Sequence, residues 1–375
     1  MVVQGVCGKG LEYEKECGQQ RMAEFYDWQK TLSYDADVTM VVGTRGVGKT
    51  FGLRTQFIRD WKKDGSRFVE VCRYKNELFN VSNGYFNRVG EQAEFKDIIF
   101  KTDSRYAYVA YKDAKTATDK PDWKIIGYFV ALSEGQLLKK KTFDHVRRIV
   151  LDEAIIDRRD RYHNYLPSEF TDLANLVDTV SRERKDTESV RPRVYLLGNA
   201  LSFANPYFAR YGVTSDLSYG YRWFNNKTFL LHYVYTPEYS EEKQTGTVAG
   251  RMLAGTTEGD SIANNRFMLD SNEFVARKPS RAKFTFGIVY NGNEYGIWVD
   301  MREGRYYVSK KIPKNTLRPI YSLSRDDASV NYMAVTRAST IMQSLENMWY
   351  LGLISYESVD LKMHFADVLA MFGIR

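Results

Sequence analysis

Val38-Thr39-Met40-Val41-Val42-Gly43-Thr44-Arg45-Gly46-Val47-Gly48-Lys49-Thr50 decides the fold. The run up to Val42 is the kind of apolar stretch that a sheet buries on both faces, and Gly43 to Thr50 spells G-x-x-x-x-G-K-[ST]. A glycine-rich turn between strand and helix points successive main-chain N–H groups at phosphate oxygens, and the helix N-terminus adds partial positive charge behind them. In that geometry Gly43, Thr44, Arg45, Gly46, Val47 and Gly48 cradle a nucleotide, Lys49 reaches its β- and γ-phosphates, and Thr50 holds Mg²⁺. The residues beyond Thr50 agree. Leu53, Phe57, Ile58 and Trp61 recur at i, i+4, i+5 and i+8, predicting an amphipathic helix over 49–63, with Gly65 placed to end it.

At 375 residues the chain has room for two domains. A hydrophobic content of 43% with 27% charged residues is ordinary for a globular protein, whereas 14% aromatic residues, 27 of them Tyr, suit β-rich cores and stacking surfaces. A formal net charge of +7 favours a polyanionic partner such as nucleic acid. Cys7, Cys17 and Cys72 lack metal-ligand spacing and are odd in number, which fits a reducing compartment. No apolar stretch approaches the ~18 residues of a membrane span, and Glu12, Glu14, Lys15 and Glu16 interrupt any signal-peptide core, so an unexported chain with no membrane partner is expected. His145, His163, His232 and His364 are scattered and predict no zinc site.

Between Val38 and about Ala204, apolar runs at 67–72, 125–132, 148–151 and 194–197 alternate with helical stretches, predicting a parallel sheet with helices on both faces. Segments 95–100 and 105–111, with Asp103-Ser104 at the turn, read as a strand pair inserted at one edge. Phe25, Tyr26, Trp28 and Gln29 could pack on an adenine or staple the chain to the domain. From about Ala209 to Arg281 polar segments interrupt the periodicity, and this region reads as a linker. Beyond it, 283–290, 295–300 and 305–309, separated by turns at Gly292 and Gly304, predict an antiparallel meander, followed by helices over about 335–351 and 358–372.

Arg147-Arg148-Ile149-Val150-Leu151-Asp152-Glu153 is an apolar strand ending in two carboxylates, the form of a Walker B motif. Asp152 is placed to position Mg²⁺, and Glu153 to polarise the water that attacks the γ-phosphorus. The strand Val194–Leu197 delivers Asn199 to the same carboxyl edge, where ligands of open α/β sheets bind, as a γ-phosphate or water sensor; a turn-forming Asn is the plain alternative. Arg182, with Arg184 nearby, is a candidate to reach a neighbouring subunit's phosphates, against the alternative of a solvated basic face. Arg45, Arg73 and Lys75 are further basic candidates near phosphate or an interface.

These residues, together with Leu32-Ser33-Tyr34-Asp35, Arg73-Tyr74-Lys75, Asn175 to Val180, Asn199-Ala200, Asn205-Pro206-Tyr207-Phe208, Ile288 to Gly292 and Trp298-Val299-Asp300, resemble in order the DNA-packaging motor ATPases of small podophages of the Picovirinae. The resemblance spans most of the chain from about Gln29. It implies an N-terminal extension (1–30), an additional-strand, catalytic-glutamate (ASCE) P-loop ATPase domain (31–208), a linker domain (209–281) and a smaller α+β C-terminal domain similar to RNase H-like nucleases (282–375). It also implies ATP and Mg²⁺ as cofactors, and as partners double-stranded DNA, the portal of an empty prohead, structural RNA where the phage has one, and further copies of the chain in a pentameric ring, all within the host cytoplasm. Carried over by position, Lys49 and Thr50 match Walker A, Asp152 and Glu153 match Walker B and the catalytic glutamate, and Arg182 matches an arginine acting in trans.

One departure bears on the nuclease. Such a site needs clustered carboxylates for two metal ions, and Phe284 to Tyr290 offers none. Asp300, Asp326 and Asp327 remain as acids, and a lone pair after a turn reads as solvated surface. The C-terminal domain is therefore expected to bind portal, RNA or DNA backbone through Arg277, Lys278, Arg281, Lys283, Lys310, Lys311 and Lys314. The alternatives are a large terminase with an active nuclease, a soluble helicase or partitioning ATPase, and a non-enzymatic binding module.

Overall fold

The computed structural model describes residues 26–116, 119–156, 165–166, 168–182, 191–201, 203, 205–214, 217–235, 246–256, 259, 265–267, 274–290, 292–323, 327–334 and 340–371. Arg184, His163, Asp326, Cys7, Cys17, Phe25 and most of the 1–30 extension lie outside them.

Nine strands form the first sheet: β1 (Val38–Val42), β2 (Arg67–Cys72), β3 (Ile98–Thr102), β4 (Tyr106–Tyr111), β5 (Lys124–Ala131), β6 (Val146–Leu151), β7 (Arg193–Gly198), β8 (Gly220–Phe224) and β9 (Phe229–Tyr233). Their order is β3-β4-β5-β2-β6-β7-β1-β9-β8. From β5 to β9 every neighbouring pair is parallel. β3, β4 and β8 close the two edges antiparallel. One strand, β7, separates β1 from β6, which is the additional-strand arrangement.

Continuous hydrophobicity in these strands has the predicted cause: alternate residues feed two cores. Met40 and Val42 face one, shared with Leu173, Leu176 and Val180 of helix Glu169–Ser181. Val41 faces the other, shared with Leu53, Phe57, Ile58 and Trp61 of helix Lys49–Asp64. That helix ends at Gly65, whose φ of 74° closes the last turn in the left-handed region. Tyr26 and Trp28 are buried against it. The Trp28 indole donates to the Lys49 carbonyl at 2.8 Å, and a Cβ on Gly52 would stand 2.4 Å from the ring. The aromatic pair is a staple rather than an adenine shelf.

The linker prediction needs one correction. β8 and β9 lie beyond residue 208, yet β9 pairs with β1 along its whole length and Phe229, Leu230 and Leu231 are fully buried. The Phe229–Tyr233 run is itself apolar; the polar residues flanking it mask the strand. Between β9 and the second sheet, the described segments include 246–256 and 265–267.

A second, six-stranded sheet has the order β14-β13-β10-β11-β12-β15. Its meander, β10 (Lys283–Tyr290), β11 (Asn293–Asp300) and β12 (Arg305–Ser309), turns at Gly292 and Gly304 as the sequence indicates. Three short strands, β13 (Ile320–Ser322), β14 (Met333–Ala334) and β15 (Ile354–Tyr356), add to what the sequence predicts. Helices Thr340–Tyr350 and Val359–Met371 supply Leu345, Leu361, Phe365 and Val368 to its core. Met363, on the same last helix, belongs to the core of the first sheet, so this helix touches both units.

Candidate functional site

The glycine turn is built to be left open. Gly46 and Gly48 both have φ of 91°, a conformation that side chains disfavour, and helix Lys49–Asp64 starts on Gly48 without a side-chain cap. Its first N–H groups are therefore unspent by the chain's own side chains, which is what an anion needs. The Thr44 hydroxyl is buried in the turn and finds no hydrogen-bond partner among the described residues. Lys49 is folded back across the turn. Its Nζ donates to the carbonyls of Gly43 (2.7 Å) and Thr44 (2.9 Å) and to Asn199 Oδ1 (3.1 Å).

The acidic strand end meets this turn because β6 and β1 flank β7. Thr50 Oγ1 donates to Asp152 Oδ2 at 2.8 Å, which sets two hard oxygen donors side by side, and Mg²⁺ takes such oxygens with water completing its shell. Gly46, Gly48, Lys49, Thr50, Asp152 and Asn199 line a cavity of about 590 Å³. That volume is ample for a nucleotide. A second cavity of about 720 Å³ shares Arg45, Asp152, Glu153 and Asn199 with it and runs on toward Glu70 and Tyr85.

Glu153 has φ of 53°, unusual for a residue with a side chain and worth about 1–3 kcal/mol of strain. Arg73 holds it there. Its guanidinium, buried behind the strand end, donates to the main-chain carbonyls of Glu153 and Ala154, each at 2.9 Å, and forms a two-pronged ion pair with Glu169 at 2.8 and 2.9 Å. Tyr207 and the Leu166 N–H bond the same carboxylate. The sequence suggests Arg73 near phosphate or a subunit interface; the structure turns it inward, onto the Glu153 and Ala154 carbonyls. Arg73→Met is expected to strand a buried carboxylate and cost about 3–5 kcal/mol of stability, read from urea unfolding. An unchanged midpoint would refute the clamp. Lys75 pairs with Glu134 at 3.4 Å, and Arg45 lies 3.8 Å from Glu153, both side chains exposed.

Glu70 belongs to no sequence motif. Glu70, in the middle of β2, is buried with Arg54 Nη2 at 3.4 Å and the Tyr85 hydroxyl at 2.6 Å, while the Arg54 guanidinium lies 3.8 Å from the centre of the Tyr85 ring. Burial raises the Glu70 carboxyl to about 7. In an unfolded chain it titrates near ~4.3, so between these values the folded chain holds the extra proton and stability falls as pH rises, by at most about 1.4 kcal/mol per pH unit. Glu70→Gln mimics the protonated form. Its unfolding midpoint, compared at pH 5 and pH 8, is expected to fall less than that of the parent chain; parallel declines would refute the assignment.

Arg182 is not brought to these groups. It caps the far end of helix Glu169–Ser181, is exposed, and pairs with Asp178 at 3.4 Å. It lines a cavity of about 420 Å³ with Lys139, Lys140, Lys141, Asp144 and His145. Asp144 and His145 precede β6 and Asp152 comes directly after it. With 6 residues in that strand, Arg182 stands on the opposite edge of the sheet, about 20 Å from its own Asp152.

In the second unit Asp300 is buried. It accepts from Arg281 Nε at 2.7 Å and from the Arg302 N–H at 3.0 Å, and the Arg281 bond holds its carboxyl below the usual range. Asp327 accepts from the Gly292 N–H at 2.7 Å. Arg281 is therefore spent within the fold, and Lys278 lies 4.0 Å from the centre of the Trp298 ring. Among the described residues no three His, Cys, Asp or Glu side chains are grouped to hold a metal ion.

A parallel sheet with an added strand between an open glycine turn and an acidic strand tip defines a P-loop ATPase fold of the ASCE type. Residues 21–365 match the family model described as podovirus DNA encapsidation protein (Gp16). The DNA packaging protein of Bacillus phage phi29 is 35% identical over 312 residues, 83% of this chain and 86% of that protein. That of Bacillus phage B103 is 32% identical over 305 residues, 81% and 87%. A solved chain of the bacteriophage Phi-29 viral genome packaging motor assembly superposes with a TM-score of 0.62 at 29% identity, covering 93% of this chain and 99% of its own. This chain belongs to the podovirus DNA encapsidation protein family.

Proposed function

We propose that the chain is the ATP-driven subunit of a homomeric ring, docked at the portal of a preformed prohead in the host cell, that moves double-stranded viral DNA inward. The observation that carries this reading is the split site: Lys49, Thr50, Asp152, Glu153 and Asn199 share one sheet edge, and Arg182 stands on the other. In a ring of five or another closed number, one chain's Arg182 edge faces the next chain's nucleotide edge.

Lys49 would leave its three oxygen partners for the β- and γ-phosphates, while the amides of the turn take the remaining oxygens. Glu153, held by Arg73, would orient a water in line with the γ-phosphorus and take its proton. Mg²⁺ fits beside Thr50 and Asp152, where it would offset charge on the β- and γ-oxygens. Asn199 would read whether the γ-phosphate is present. Arg182, with Lys139 to Lys141 beside it, would stabilise charge on the neighbour's transferring phosphoryl group.

The second unit would handle DNA, portal or a structural RNA without cutting DNA, a reading supported by β10, which carries no carboxylate from Phe284 to Tyr290, and by Asp300, already paired with Arg281. Among the described residues no helix is long and apolar enough to cross a membrane. The test is packaging in vitro: protein, empty proheads, linear duplex DNA and ATP, scored by nuclease-protected full-length DNA. Protected DNA that requires hydrolysable ATP is the expected result; ATP hydrolysis that never protects DNA would favour a soluble translocase, and shortened DNA an active nuclease.

A further inference from the structure

The segment between the two sheets returns to the carboxyl edge of the first as Asn265-Arg266-Phe267. Asn265 is 3% exposed, with φ of 49°. Its side-chain amide donates to the carbonyls of Val42 (3.1 Å) and Val234 (2.8 Å), and its side-chain oxygen accepts from the Ala200 N–H (3.4 Å). Two acceptors on one side and a donor on the other leave a single orientation for the amide. The Tyr233 hydroxyl bonds the Asn265 main-chain carbonyl.

The partners are notable for their positions in sequence. Val42 immediately precedes Gly43 of the phosphate turn, and Ala200 comes immediately after Asn199. One buried side chain thus joins the root of the turn to the root of the sensor loop. Two residues on, the Phe267 ring packs on Phe203, Phe208 and Tyr233 at centroid distances of 5.4, 5.6 and 5.4 Å. Phe203 in turn lies 6.4 Å from His364 on the last helix, which is built into the second unit.

We propose that Asn265 is a positioning residue that couples γ-phosphate sensing to movement of the second unit, a proposal that rests on the motor function above. Lys49 spends one of its bonds on Asn199. A triphosphate that draws Lys49 away frees Asn199, and any shift of that loop is felt at the Ala200 N–H, hence at Asn265 and the segment bearing it. Loss of the amide leaves the phosphate ligands in place and loosens the link between them and the second unit.

The test uses the full chain with proheads, DNA and ATP, and reads base pairs packaged per ATP hydrolysed, together with the ATP KM and the thermal unfolding midpoint. For Asn265→Ala, DNA packaged per ATP is expected to fall about tenfold while KM for ATP stays within about threefold. Tyr233→Phe, which removes the hydroxyl bond to the Asn265 carbonyl together with the hydroxyl's bonds to Tyr219 and the Phe267 main chain, is expected to shift the ratio the same way by a smaller factor. A parental ratio in Asn265→Ala, with packaging falling only in step with hydrolysis, overturns the proposal. Should Asn265→Ala fail to fold, Tyr233→Phe decides it: a lowered ratio at the parental unfolding midpoint supports the coupling, and a parental ratio overturns it. A parent chain that neither hydrolyses ATP nor packages DNA would instead refute the motor function itself.

Discussion

Glu153→Gln is expected to lower DNA-stimulated ATP turnover by about 10³-fold while leaving ATP affinity within about threefold. The substitution keeps the shape and the backbone clamp but removes the proton acceptor. The bonds that hold Glu153 run from Arg73 to its main-chain carbonyl, so they survive the change of side chain. The left-handed φ of 53° is equally open to Gln. In the proposed site, binding would rest on the amides of the turn, Lys49 and Thr50, none of which is altered. Steady-state hydrolysis with a coupled phosphate assay, and titration with a fluorescent ATP analogue, measure the two quantities. Turnover within tenfold of the parent would remove Glu153 from its role.

Arg182→Ala is expected to silence the assembled ring by a similar factor, about 10³-fold, with nucleotide affinity little changed. A side chain about 20 Å from its own Asp152 serves no purpose in cis, so the loss should depend on who sits next to whom. Mixing Arg182→Ala with Glu153→Gln chains supplies the discriminating result. At some junctions an intact Glu153 from the first meets an intact Arg182 from the second, and partial hydrolysis should return. Absence of rescue at every ratio, in rings shown to contain both chains, would place the arginine's action within one chain. The Asp178 pair is exposed, so breaking it costs at most about 1 kcal/mol and does not confuse the outcome.

Much of the candidate nucleotide edge is legible in the sequence because each part is local. The strand Val38–Val42, the turn and the helix from Lys49 to Gly65 are contiguous and carry their own periodicity, and the Asp152-Glu153 pair closes a short apolar strand. Burial on both faces makes β2, β5, β6 and β7 stand out. The hidden parts depend on distant pairing. β9 is an apolar run set among polar residues, and only its fit beside β1 makes it part of the first sheet. β13 to β15 are two or three residues long, too short for any period to register. Arg73 illustrates the same limit for chemistry. A basic residue after a strand looks like a phosphate contact until Glu169, far along the chain, turns it inward. Glu70 and Asn265 carry no motif; a charge inside the apolar run Arg67–Cys72 is the one visible hint of the former.

Trp28 adds a practical consequence. Its indole bonds the carbonyl of Lys49 at 2.8 Å and occupies the space that a side chain on Gly52 would need. A native fluorophore is thereby fixed to the residue proposed to grip the phosphates, so a change in its emission on adding ATP is expected to report the filling and emptying of each chain without an attached dye.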